Sequence, residues 1–340
     1  MRALFLGLGG VGQRHLRNLR RLHPEAEIRA VRTKGRAFEI NNDLTIDESV
    51  DVMDKYRVTA LPDLATGLAW APDLAVVSTP SALHVEHCLA LLESGVPVMV
   101  EKPAATDSKG YAHLEEAAAK AGLPLMVAYQ QRFNPLVARL RTLLAAGRVG
   151  RVQSLEVTVH SHMPSWHGYE KPGEFYAGQR ALGGGVVMTE IHELDLLGWL
   201  FGPASNIHAV GGTTGEWAID VEDSVAAIME FQVEGRRVPA AVSLSFVQNP
   251  PARRFVVNGS KGRLTMELPK LAITIEEAGR PPLAEQLPDF DRNELFLAEL
   301  SHFLDCVARR AEPLSSLAAC RAGQDLASEM LRQVRKGMEP

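Results

Sequence analysis

The chain has 340 residues, with 36 Lys and Arg against 41 Asp and Glu, a net charge of −5 and a hydrophobic fraction of 46%. That is room for two domains with cores of their own, in an ordinary globular composition with no global pull toward nucleic acid or an anionic membrane and no apolar run of membrane-spanning length. The first apolar residues run straight into glycines with no cleavage site, and Cys88, Cys306 and Cys320 form no CxxC pair, so a cytoplasmic protein with reduced thiols is expected.

In chain order, Ala3–Leu6 reads as a short buried strand, and residues 11–22 as a helix with Val11, Leu16, Leu19 and Leu22 on one face. Ile28–Val31 is a second strand and Leu74–Ser78 a third. A helix carrying Val85, Cys88, Leu89 and Leu92 follows, stopped by Gly95. Val96–Val100 is the next strand, Asp107 caps a helix reaching Ala121 and Gly122, and Leu123–Ala128 closes the series. Repeated βα units with continuously apolar strands predict a doubly wound parallel sheet covered on both faces, in a domain over residues 1–130. The rhythm then changes. Val152–Val159 alternates as a half-buried strand, 186–201 reads as one helix, and strands are expected at 225–231, 238–246, 255–258, 264–268 and 273–276. Helices near 292–311 and 315–336 end the chain, after a loop at 279–291. This second part, 131–340, is predicted to be an α+β domain with a mostly antiparallel sheet.

The opening "MRALFLGLGGVGQRH" places Gly7, Gly9 and Gly12 in a G-x-G-x-x-G between strand and helix. The first glycine allows the tight turn, the second the approach of a pyrophosphate, and the third close helix–strand packing. With Gly10 and Val11 the loop would bring free N–H groups to the positive end of the helix dipole. An acid about 20 residues later would bind the ribose of NAD, but that place reads Val31-Arg32-Thr33-Lys34-Gly35-Arg36. Arg32 and Thr33 suit a 2′-phosphate, so NADP is preferred over NAD. The plain alternative is a solvated basic loop.

Two stretches carry candidate chemistry. "VMVEKPAATD" puts Glu101-Lys102-Pro103 at the carboxyl end of a parallel strand, where an ammonium can meet a substrate oxygen; the alternative is a surface lysine. "LGGGVVMTEIHELDLLGWLFG" has a glycine run and then Thr189, His192 and Asp195 at i, i+3 spacing, an imidazole able to exchange a proton near neutrality. Further on the amino side, His160 and His162 lie on one side of a strand, but no closed set of ligand spacings appears and no metal is expected. Trp166, His167, Tyr169 and Tyr176 suit stacking on a sugar ring, with packing inside the domain as the equal alternative.

On the glycine loop, "STPSALHVEHCLALLESGVPVMVEKP", "YQQRFNP", the glycine–histidine helix and "FLAELSHFLDCVARRAEPL", the chain resembles the Gfo/Idh/MocA oxidoreductases, named for glucose–fructose oxidoreductase and inositol dehydrogenase, over nearly its whole length. The resemblance implies a Rossmann domain, then a large open sheet used in a homodimer or homotetramer, and final helices packed back toward the first domain. It implies a hydride transfer between a nicotinamide and a sugar, cyclic polyol or sugar derivative. Lys102 would contact the reacting oxygen and His192 would be the acid/base. Ser78, Thr79, Pro80 and His84 would line the cofactor pocket beside Glu101. Asp195, Thr189, Glu190 and Arg132 would bind substrate with the aromatic cluster. Many relatives carry an aspartate four residues before the histidine; here Met188 stands there, so Glu190 or Asp195 supplies the carboxylate, or the histidine works without one. The same resemblance leaves an NAD-dependent glycosidase with transient oxidation, and a non-catalytic NAD(P)- and sugar-sensing regulator, as alternatives.

Overall fold

The computed structural model describes residues 1–32, 38–166, 170–287 and 289–338. Its first half is built on β1 (Arg2–Leu6), α1 (Gly10–Leu22), β2 (Glu27–Val31), the two-stranded pair β3 (Phe38–Ile40) and β4 (Ile46–Asp51), α2 (Val52–Lys55), β5 (Val58–Leu61), α3 (Leu64–Ala69), β6 (Leu74–Val77), α4 (His84–Glu93), β7 (Val98–Glu101), α5 (Ser108–Ala121) and β8 (Leu125–Ala128). Six of these strands form a sheet in the order β5-β2-β1-β6-β7-β8, every pairing parallel. β6, β7 and β8 are buried at every residue, because helices cover both faces. The chain reverses direction across the sheet between β1 and β6, and a doubly wound sheet opens its ligand crevice at that point, beyond the carboxyl ends of the strands.

The region 38–69 carries elements that the sequence pattern did not assign. Asp51 and Asp63 cap α2 and α3, Asp63 accepting from Thr66 N at 2.8 Å. β5 reads VTAL, with its two middle residues exposed, so an edge strand gives no apolar run to detect.

The second half contains α6 (Pro135–Ala145), β9 (Val152–His162), α7 (Val186–Thr189), α8 (His192–Phe201), β10 (Ala204–Gly212), β11 (Ser224–Val233), β12 (Arg236–Ser245), β13 (Val247–Gly259), β14 (Gly262–Glu267), β15 (Ala272–Glu277) and β16 (Leu283–Gln286). The strands make an eight-stranded sheet in the order β10-β11-β12-β9-β13-β14-β15-β16, antiparallel except where β9 joins β12. One face carries Val157, Val225, Met229, Phe231, Val242, Leu244 and Phe255, all buried. On the other face Val210 is 71% and Ile228 61% exposed.

Three expectations are corrected here. The helix expected at 186–201 is two, α7 and α8, broken at Glu190 and Ile191, so Thr189 and His192 do not share one helical face. The 279–291 stretch is not all loop: β16 pairs with β15 and Arg139 grips Glu285 at 2.6 and 2.7 Å. β13 begins well before residue 255, because β9 and β13 pair along most of their length.

The chain ends in α9 (Asn293–Val307) and α10 (Leu317–Met338). α9 lies against α1, and α10 bridges the two halves, packing on α8 and β10 and touching α5 and β8. Asn293 bonds Asn18 of α1, Ser315 Oγ donates to Val127 O at 2.6 Å, and Tyr111 OH donates to Leu317 O at 2.7 Å. Among the described residues no helix is long and apolar enough to cross a membrane.

Candidate active site

The glycine loop sits between β1 and α1 at the reversal point. Gly7 has φ +92°, a conformation that strains any side chain, and a Cβ there would meet Ser78 O at 2.7 Å. At Gly12 a Cβ would meet Ser78 Oγ at 2.5 Å and Gly7 O at 2.6 Å. Ser78 Oγ donates to Gly7 O at 2.9 Å and locks the loop from beneath. Around Gly9 there is open space, and it precedes α1 with no side-chain cap. Bare backbone, room, and free N–H groups at a helix start make a cradle that fits a pyrophosphate.

Behind the neighbouring strand ends lies a set of buried polar ties. His84 is 1% exposed, with Nδ1 at 2.7 Å from Pro103 O and Nε2 at 2.8 Å from Thr79 O. Glu101 meets His15 Nε2 at 2.8 Å and accepts from Lys102 N at 3.2 Å. The side chains of Ser78, His84 and Glu101, expected to line or flank the cofactor pocket, each hold a loop or strand end. Thr79 and Pro80 stay half-buried at the carboxyl edge of β6.

Lys102, just past β7, reaches across to the second half of the chain. Its Nζ donates to Thr189 O at 2.6 Å, three residues before His192. His192 starts α8, is 5% exposed, and stands edge-on to Tyr129 at 5.8 Å between ring centroids. The Gln130 amide donates to His192 Nε2 at 3.4 Å. His192 Nδ1 and Thr189 Oγ1 are buried with no partner among the described residues. Unsatisfied buried polar atoms are costly, and such a group in a native protein asks for a ligand or water. Burial first, then Lys102, Arg253 and Arg292, hold the His192 imidazole well below its ordinary 6.5, so it is neutral at pH 7 and its charged form is disfavoured. No carboxylate hydrogen-bonds His192 among the described residues. Glu190 accepts instead from Ser161 Oγ at 3.3 Å, and Asp195 is engaged elsewhere.

Comparison with known proteins bears on this arrangement. Residues 1–129 match the oxidoreductase family with an NAD-binding Rossmann fold, and residues 137–265 match the GFO/IDH/MocA C-terminal domain. The chain belongs to the Gfo/Idh/MocA oxidoreductase family. Among relatives, a scyllo-inositol 2-dehydrogenase (NAD(+)) of Bacillus subtilis is 26% identical over 92% of this chain and 88% of its own. A myo-inositol dehydrogenase of Streptomyces leeuwenhoekii is 36% identical over 38% of this chain and 37% of its own, about a third of that protein. A solved structure, UDP-N-acetylglucosamine 3-dehydrogenase from Acidithiobacillus ferrooxidans, is 23% identical with a TM-score of 0.77, covering 100% of this chain and 99% of that one; it establishes the shared fold.

In this Gfo/Idh/MocA protein two expected substrate contacts turn out to be scaffold. Arg132 Nε and Nη2 grip Asp195 at 2.8 and 2.7 Å, and the guanidinium also donates to Leu314 O and Ala319 O at 2.8 and 2.9 Å. The two side chains are 0% and 1% exposed. Their hydrogen-bonding capacity is consumed in clamping the 129–134 segment, α8 and the entry to α10, so neither faces the cleft. Thr189 contributes its carbonyl to Lys102. Trp166 packs edge-on against Phe175 and Phe246 at 5.6 and 5.0 Å, the packing alternative. His160 Nε2 pairs with Ser243 Oγ at 2.7 Å, and the His162 ring stands on Trp217 at 5.5 Å. Thr33, His167 and Tyr169 lie outside the described residues.

The sequence reading missed Gln130, Glu193, Arg253 and Arg292. Gln130 was findable: it follows β8 as Lys102 follows β7, the position that faces the crevice. Arg253, which holds Glu193 at 2.6 and 2.9 Å, lies in β13 with no local signal.

Proposed function

We propose that the protein is an NAD(P)-dependent dehydrogenase of a sugar, cyclic polyol or sugar derivative. One observation carries the reading: the Lys102 ammonium of the dinucleotide half reaches the Thr189 carbonyl of the other half at 2.6 Å, three residues before the buried, neutral imidazole of His192. The nicotinamide, when bound, supplies the hydride acceptor or donor at the substrate's carbinol carbon. His192 takes the hydroxyl proton in the oxidative direction and returns it in the reductive one. Lys102 shifts from the Thr189 carbonyl to the reacting oxygen and stabilises the negative charge that develops there. Tyr129 and Gln130 orient the imidazole. The basic stretch Arg32–Arg36, which holds no carboxylate, supports a preference for NADP over NAD. The uncovered face with Val210 and Ile228 supports self-association through the eight-stranded sheet.

The test is nicotinamide absorbance at 340 nm with NADP+ and NAD+ against a panel of inositols, aldoses and sugar acids, beside calorimetric titration of both cofactors. Expected are binding of the cofactor, tighter for NADP, and net cofactor reduction with at least one polyol or sugar. Absence of pyridine nucleotide binding would refute the reading.

A further inference from the structure

The cleft holds more positive charge than the reaction needs. Lys102, Arg253 and Arg292 all act on His192, against the carboxylates of Glu190 and Glu193. Glu193 is matched to Arg253 by two short bonds, and Glu190 is shared between Arg253 and Arg292 without an ion pair to either. The Arg292 guanidinium has no hydrogen bond or ion pair among the described residues; its contact is the ring of Phe296 at 5.9 Å. It keeps solvent exposure, yet it is surrounded closely enough that burial, then Arg253, pushes its pKa down. Arg292 and Arg253 line one cavity of about 280 Å³, with Gln131 and Asn134 on its polar side and Leu271 and Phe290 among its apolar walls. The cavity is tied to the reactive groups through Arg253, which grips Glu193, the residue after His192, at 2.6 and 2.9 Å.

A guanidinium without a counter-ion, beside a second one and in a partly desolvated pocket, is an anion subsite. We propose that Arg292, backed by Arg253, recognises a carboxylate or phosphate on the substrate, which makes this enzyme selective for acidic sugars or sugar phosphates over neutral polyols. The inference rests on the dehydrogenase reading above. The Gln131 amide, held by Asn134 at 2.8 Å, would serve a hydroxyl next to the charged group, and Leu271 and Phe290 the apolar face of a ring.

Matched compounds test it: D-glucose against D-glucuronate and D-glucose 6-phosphate, and D-galactose against D-galacturonate, with calorimetric Kd for NADPH and NADH measured in parallel. Expected is a kcat/KM at least about 10-fold higher for a charged member than for its neutral partner. Arg292→Gln should cut that ratio by about 10–100-fold through KM, the size of a lost charge-assisted contact, and Arg292→Lys should restore part of it. A neutral member preferred over its charged partner, a ratio unmoved by Arg292→Gln, or cofactor binding with no turnover of any charged member would overturn the proposal while the dehydrogenase reading stands. A variant whose loss appears as a weaker NADPH Kd would put the guanidinium on the cofactor's phosphates and also overturn it. If the protein binds neither cofactor, both readings fall.

Discussion

Two polar centres lie close together on α8 and differ in one respect. Around Arg132 and Asp195 the donors and acceptors are spent on one another and on backbone carbonyls. Around Lys102 and His192, the lysine rests on a carbonyl, and His192 Nδ1 and Thr189 Oγ1 have no partner among the described residues. Burial is common to both centres, so burial does not separate scaffold from site. Satisfaction does: a closed network rigidifies, whereas an open one keeps its free energy for a ligand.

The largest effect should come from the open centre. Lys102→Met and His192→Ala should each lower kcat by about 10²–10⁴, the range for positioned acid/base and electrostatic groups, with NADPH affinity and urea midpoint close to wild type. The neutral imidazole also sets a sign. Activity in the oxidative direction should hold across neutral pH and fall on acidification through the lowered His192 pKa; removing the Lys102 charge should move that acidic limb to higher pH. A limb that stays put would separate the two groups.

The closed centre should respond in stability. Arg132→Met leaves Asp195 buried and unpaired, at a cost of about 3–5 kcal/mol in urea unfolding, whereas Arg132→Met with Asp195→Leu should recover much of it. Retained stability with a raised substrate KM would make the pair a ligand site and break the comparison.

A third buried acid lies between these extremes. Glu222 accepts from Val187 N at 3.3 Å, and burial raises its pKa from 4.5 to about 7. The folded state then binds its proton more tightly than the unfolded state does. Glu222 therefore costs nothing below about pH 4.5 and destabilises progressively as pH rises to about 7, by about 3 kcal/mol at most. Glu222→Gln should flatten that part of a stability-versus-pH curve measured by urea unfolding between pH 5 and 8. Glu299, fully buried with neither oxygen partnered among the described residues and its pKa held well above 4.5 by burial, then by Glu101, should show the same sign.

The sequence was most informative where a local rule has a single physical cause. The glycine spacing, the apolar strands of the parallel sheet and the alternation of the later strands all follow from backbone sterics and burial period, and they set the architecture without knowledge of neighbours. Edge strands such as β5 and β16 escaped because half or more of their residues face water and leave no apolar run. The break at Glu190 and Ile191 escaped because the string from Val186 to Phe201 is apolar enough to read as one helix; it falls beside Thr189, whose carbonyl accepts from Lys102.

Lys102 and His192 were legible as candidates because each stands at a place, a strand end or a glycine–helix junction, where chemistry is usually put. Asp195 and Arg132 were misread for the same reason: residue type shows that a charge must be answered, not what answers it. Arg132 and Asp195 answer each other across 63 residues, and the carbonyls of Leu314 and Ala319, more than 180 residues from Arg132, complete the set. The sequence alone determined a dinucleotide cradle and a parallel sheet, and it nominated Lys102 and His192. Tertiary structure decided which buried charges are neutralised and which are left open, because hydrogen-bond satisfaction is a property of neighbours in space and has no period along the chain.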